Sequence, residues 1–167
     1  TFSIDRSNPW ALDVLRAEGF RYDSSIFPMK VRMYGTPGAP LGIYRPSRTD
    51  VTRHDPAGDL VEFPVAIADV PPFGLRVPVG GGFYLRALPL PVFRAGLEHV
   101  LASRPASLYL HPRELTPESQ RLPLAPVDRF ITYVGLDTVP AKLDALLARH
   151  EWTTMRDILE RGGWLAA

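Results

Sequence analysis

Cysteine is absent from the 167 residues. Disulfides and thiolate chemistry are therefore excluded. An excess of one charge is lacking too, since 19 basic residues face 18 acidic ones and the formal net charge is +1. Such a balance offers no electrostatic footprint for a nucleic acid or a membrane surface. No apolar run approaches the roughly 18 residues of a membrane-spanning helix, and no signal-peptide pattern stands out. A Gly-x-Ser-x-Gly elbow is missing, so a serine hydrolase has no support. The four histidines (His54, His99, His111, His150) are scattered without an HxxxH or HExxH spacing. Gly80–Gly82 is not followed by the Lys-Ser/Thr of a phosphate loop.

What is present is ordinary in bulk and unusual in detail. Apolar residues make up 46% and charged residues 22%, as expected for a soluble globular protein. The length suits one domain with a real core, read here as a single unit over 1–167. Proline is abundant, with 18 residues. At that density the chain should fold as many short elements joined by stiff loops. It starts "TFSIDRSNPW" without methionine and reads as a piece of something longer, with further motifs expected upstream.

Along the chain, "SNPWALDVLRAEGF" predicts a helix capped by Ser7 or Asn8, with Pro9 in its first turn and Gly19 at its end. Trp10, Ala11, Leu12 and Leu15 can share its apolar stripe. A short strand follows from about Phe20 and breaks at Asp23-Ser24-Ser25. Residues 28–58 read as a long, aperiodic loop, functional or mobile. Leu60–Ile67 predicts a strand, Gly80–Gly82 a sharp turn, and Pro89–Ser103 a helix. "ASLYLH" predicts a strand, and "PRELTPESQRLPLAPVDRF" another loop. Thr138 should cap a helix to about His150, "EWTTM" a strand, and "MRDILERGG" a last helical turn or two. This alternation predicts an α/β fold with parallel pairing, in which chemistry gathers at the carboxyl ends of strands.

Two candidates sit at such ends. His111 follows an apolar strand and precedes a proline, and can serve as general acid or metal ligand, or as a hydrogen-bonded strand terminus. Asp23 can form an ordinary Asx turn, or pair with His111 and orient its ring. Gly81 and Gly82 can offer backbone donors to a sugar or an oxyanion, or merely allow a close approach. Tyr84 and Arg86 extend this set as substrate contacts. Glu62, a carboxylate between apolar neighbours, needs a partner such as Arg86 or Arg129.

Several segments occur together in order: "FSIDRSNPWALDVLRAEGFRYDSSIFP", "VEFPV", "GGGFYLRALP", "LYLHPREL" and "TTMRDIL". In combination they resemble the C-terminal half of bacterial polysaccharide deacetylases of the NodB-homology type. More narrowly, they are similar to the branch associated with exosortase-linked exopolysaccharide loci, which carries a C-terminal extension. The resemblance implies a distorted (β/α) barrel that removes acetyl groups from N-acetylated sugars. It implies a divalent metal, usually zinc, held by residues outside this chain, a metal-bound water as nucleophile and an aspartate base upstream. His111 then matches the late-strand general acid, and Asp23 the carboxylate that accompanies it. Where this branch carries tryptophan after "LHP", the chain has Arg113.

The expected partners are a polysaccharide or oligosaccharide substrate and the N-terminal half of the same enzyme, with homodimerisation as another way to cover open strand edges. The resemblance places the protein in the cytoplasm or at the cell envelope. An alternative of a different class is a non-catalytic carbohydrate-binding or interaction module, in which the glycine turn and loop aromatics contact glycan.

Overall fold

The computed structural model describes residues 4–31, 34–70, 74–116, 118 and 121–165. It is a mixed α/β structure with two small two-stranded sheets. No barrel is seen among the described residues. The chain divides into two units: residues 1–67 with 153–167, and residues 68–152.

The first unit begins with helix α1, Trp10–Ala17. Its buried face is Ala11 and Leu12, with Leu15 packed alongside, while Trp10 is exposed. At 100° per residue Trp10 falls off the stripe it was expected to share. The cap also differs from expectation. Pro9 occupies the N-cap without a side-chain bond, and Asn8 Oδ1 instead accepts the Asp5 N–H at 2.7 Å. Gly19 ends the helix as expected, with φ +77°, and the Phe20 N–H returns to the Leu15 carbonyl at 2.9 Å. That is the left-handed residue and backward bond of a Schellman ending.

Strand β1, Tyr22–Asp23, pairs in parallel with β2, Val61–Glu62, in the register Tyr22 to Val61 and Asp23 to Glu62. An antiparallel bridge between Tyr44 and Glu62 covers the other edge of β2. The expected strand from Leu60 to Ile67 is split, because Pro64 has no N–H to donate to a ladder. Within the aperiodic stretch 28–58, several described residues pack into the core. Ala39, Tyr44 and Val51 enter the core with Ile4, Leu12, Ile26 and Leu60. A group of charges links α1 to Arg48 and Asp59: Arg16 contacts Asp13 and Asp59 at 2.9 and 2.8 Å, and Arg48 contacts the same two at 3.4 and 3.0 Å. Helix α6, Met155–Arg161, completes this unit by packing Leu159 against Val61 and Phe63. "EWTTM", expected as a strand, has no strand pairing and leads into α6. Thr154 Oγ1 accepts the Asp157 N–H at 3.1 Å, a side-chain N-cap. Thr154→Ala should lower stability by about 1 kcal/mol, read as a shift in denaturant midpoint at unchanged slope. An unmoved midpoint would show that the cap contributes nothing.

The second unit holds strand β3 (Ile67–Val70, entering from the first unit), β4 (Leu75–Pro78), α2 (Gly82–Ala87), α3 (Leu90–Leu101), α4 (Pro126–Tyr133) and α5 (Val139–Leu147). Phe93, Leu97 and Val100 line the buried face of α3 at helical spacing. Val79, Leu85, Leu136, Val139 and Leu146 are also buried in this unit. Two helices appear where none was expected. α2 begins within the glycine turn, and α4 begins at Pro126 in the second proline-rich loop, a residue suited to a first helical turn. The expected strand at Leu108–Leu110 is reduced to a single parallel bridge, Gly81 to Tyr109. Pro105 and Pro112 bracket it and leave room for little more. Among the described residues no helix is long and apolar enough to cross a membrane.

Candidate active site

In the second unit, the bridge between Gly81 and Tyr109 fixes the position of His111. The Gly82 N–H donates to the Tyr109 carbonyl at 2.9 Å, and the Tyr109 N–H donates to the Gly80 carbonyl at 2.6 Å. Pro112 then stops the extended run and opens a 3₁₀ turn, Pro112–Glu114. This turn closes on itself: the Glu114 N–H reaches the His111 carbonyl at 2.9 Å, and the His111 N–H reaches Glu114 Oε2 at 2.8 Å.

The imidazole is half exposed, with 50% of its side chain accessible. Its Nε2 lies 2.8 Å from the Tyr109 hydroxyl, and the two rings meet edge to face at 4.7 Å. Its Nδ1 lies 3.8 Å from Glu114 Oε2, beyond a hydrogen bond but within strong electrostatic reach.

Glu114 is the residue that sequence reasoning missed. Its side chain is 1% exposed and pairs with Arg86, itself 1% exposed, through a 3.0 Å bond from Nε to Oε1. The remaining Arg86 donors reach the Val134, Ile131 and Thr132 carbonyls at 2.9, 3.1 and 3.3 Å, at the end of α4. Burial lowers the Arg86 proton affinity below its ordinary value, and Glu114 opposes that effect. The partners of Arg86 are thus Glu114 and three backbone carbonyls of its own unit, whereas Glu62, for which Arg86 was an anticipated partner, accepts from the Ser25 and Ile26 N–H groups in the first unit. Arg86, expected as a substrate contact, thus lies beneath the site rather than in it.

Gly82 is buried against the Glu114 carboxylate, and a Cβ there would collide with it. Its N–H is already given to Tyr109, so its smallness serves a close approach. Gly81, partly exposed, is the N-cap of α2. Tyr84, one turn on, is partly exposed and meets Phe83 edge to face at 5.2 Å. A sequence signal for Glu114 did exist. The spacing His-Pro-x-Glu puts an acid three residues after an N-cap position, where its side chain can reach back.

Asp23 lies in the first unit, and its partners are found there. Ser25 Oγ donates to Asp23 Oδ1 at 2.9 Å. The Ser25 and Ile26 N–H groups donate instead to Glu62 Oε1, at 3.1 and 2.9 Å, so Asp23 makes no Asx turn to Ser25. Glu62 is wholly buried and Asp23 nearly so. Burial, then the neighbouring Asp23 charge, hold the Glu62 carboxyl well above the ordinary carboxylate range. With both groups charged, Asp23 Oδ2 and Glu62 Oε2 are buried without a donor. A proton retained by Glu62 removes that conflict, since it forms the side-chain bond between the two. Asp23 also lines a cleft of about 590 Å³ in this unit, together with Phe20, Tyr22 and Arg156.

No three His, Asp or Glu side chains among the described residues are grouped to hold a metal ion. The zinc implied by the resemblance therefore has no fitting donor set among the described residues. Two of the other histidines, His54 and His99, have separate partners. His54 Nδ1 accepts the Arg45 N–H at 3.1 Å, and His99 Nε2 meets the Asp69 carbonyl at 2.8 Å.

No curated protein and no solved structure matches the chain. One family does, over residues 24–160, and this range takes in Asp23's neighbour Ser24, the glycine turn, His111 and Glu114. The chain belongs to that family, described as Domain of unknown function (DUF3473).

Proposed function

We propose that this chain is the C-terminal portion of a metal-dependent polysaccharide deacetylase and supplies its general acid, His111. One observation carries the reading: an imidazole half open to solvent is hydrogen-bonded to Tyr109 at Nε2 and has a buried carboxylate 3.8 Å from Nδ1. An ordinary surface histidine has no need of such support. The resemblance of the segments around Asp23, the glycine turn and His111 to polysaccharide deacetylases favours the same assignment.

The step assigned to His111 is proton delivery. As the amide C–N bond of an N-acetylated sugar breaks, its electron pair goes to nitrogen. The imidazolium gives that nitrogen the Nε2 proton, so that the product leaves as an amine. The metal and base of this reaction belong to residues outside this chain. The substrate is an N-acetylated glycan of a bacterial polysaccharide.

In the complete enzyme, His111→Ala should lower turnover of N-acetylated oligosaccharides by about 10²-fold or more, with metal content and folding unchanged. Acetate release is the measurement. Turnover within a factor of about two of the parent would remove His111 from the acid role.

A further inference from the structure

We propose that Glu114 is the positioning residue of this site. It keeps the His111 proton on Nδ1 and so makes Nε2, through the Tyr109 hydroxyl, the nitrogen that exchanges protons with a ligand.

Four observations lead there. First, Glu114 is buried, yet its two oxygens are both assigned: Oε1 to the Arg86 guanidinium, Oε2 to the His111 backbone. Second, the carboxylate cannot turn away. Arg86 is locked by three carbonyls at the end of α4, and Gly82 leaves room at just the place where the carboxylate lies. Third, Oε2 is the anion nearest the Nδ1 edge, at 3.8 Å. A neutral imidazole places its one proton where the neighbouring charge favours it, and an anion at Nδ1 favours Nδ1–H. Fourth, Nε2 then carries the lone pair, and the Tyr109 hydroxyl at 2.8 Å donates to it. The Arg86 to Glu114 and Tyr109 to His111 bonds then run in one direction, while the Nδ1–H faces the Glu114 carboxylate through charge rather than through a hydrogen bond.

The arrangement assigns Tyr109 a part as well. A ligand nitrogen reaches Nε2 by displacing the phenol, or receives a proton through it. In the second case the phenol oxygen takes the imidazolium proton as its own O–H proton passes outward. Arg86 acts at one remove. It sets a guanidinium against the buried carboxylate, 3.0 Å from Nε to Oε1.

The catalytic consequence rests on the function proposed above, but the proton placement does not. The test is therefore spectroscopic and needs no substrate. In the full chain with ¹⁵N-labelled histidine, at alkaline pH where imidazole is neutral, His111 signals are assigned by their loss in His111→Gln. The expected result is a protonated Nδ1 and an unprotonated Nε2. Glu114→Gln, which keeps the size and the backbone acceptor, should erase that preference and draw the two nitrogen signals together. Tyr109→Phe should move Nε2 alone and leave the Nδ1 proton in place. A parent protein with its proton on Nε2 would overturn the proposal, as would a Tyr109→Phe variant in which the proton moves to Nε2.

In the complete enzyme, Glu114→Gln should lower kcat roughly tenfold to a hundredfold with KM little changed. If His111→Ala left turnover intact while the tautomer still responded to Glu114, the acid role would fall and the positioning role would stand.

Discussion

Replacing Arg86 with methionine is expected to destabilise the protein by about 3–5 kcal/mol and to lower Tm by roughly 6–20 °C. The magnitude follows from what is stranded. Arg86 and Glu114 are each 1% exposed, so the carboxylate would be left charged in a place that water cannot reach. Its one remaining partner would be the His111 N–H. The Ile131, Thr132 and Val134 carbonyls would lose their donor in the same substitution. Carbonyls at a helix end have no partner within the helix, so this loss adds to the first.

Methionine fills much of the space of the arginine stem, which keeps the cavity contribution small. The double variant Arg86→Met, Glu114→Gln should recover part of the loss, because the stranded charge is gone. It should not recover all, because the α4 carbonyls remain unsatisfied. A double-mutant cycle by chemical denaturation reads both quantities. A cost below about 1 kcal/mol for Arg86→Met would mean that the pair behaves like an exposed one, and the buried-anchor account would be wrong.

The same pair shows how far the sequence could be read. Regular helices were legible wherever apolar spacing repeated, as in Phe93, Leu97 and Val100 of α3. So was the halt at His111, because a following proline has a fixed physical meaning. Long-range choices were not legible. Arg86 and Glu114 are 28 residues apart, and nothing in either local pattern names the other. Glu62 and Asp23 were each conspicuous as acids near apolar runs, but their pairing depends on a parallel register that only the fold sets. The strands were harder still, since most are two to four residues long and proline ends them. Alternation cannot be detected over so short a span. The burial of Ala39, Tyr44 and Val51 within 28–58 was not legible for the same reason, because these residues follow no period.

Glu62 supports the second large effect, a loss of stability as pH rises. Its carboxyl is held well above the unfolded value of 4.5 by burial and by Asp23. Above that value the unfolded chain has released the proton, while the folded protein still holds it. The folded state thus binds more protons, and stability falls with increasing pH until the folded group also ionises. For one such proton the slope reaches about 1.4 kcal/mol per pH unit. Carboxyls held low, such as Asp59 beside Arg16 and Asp157 beside Thr153 and Thr154, act oppositely and at lower pH, since their stabilisation is lost as they protonate.

Glu62→Gln isolates the one group. The amide can donate to Asp23 and accept from Ser25 and Ile26, as the protonated acid does, but it never ionises. Parent and variant should be nearly equal in stability near pH 4, and the variant should gain on the parent as pH rises above 4.5, until the folded Glu62 also ionises. Denaturant midpoints across that range decide the matter. Parallel curves would mean that Glu62 ionises normally in the folded protein, and the two orphaned oxygens would then need a different account.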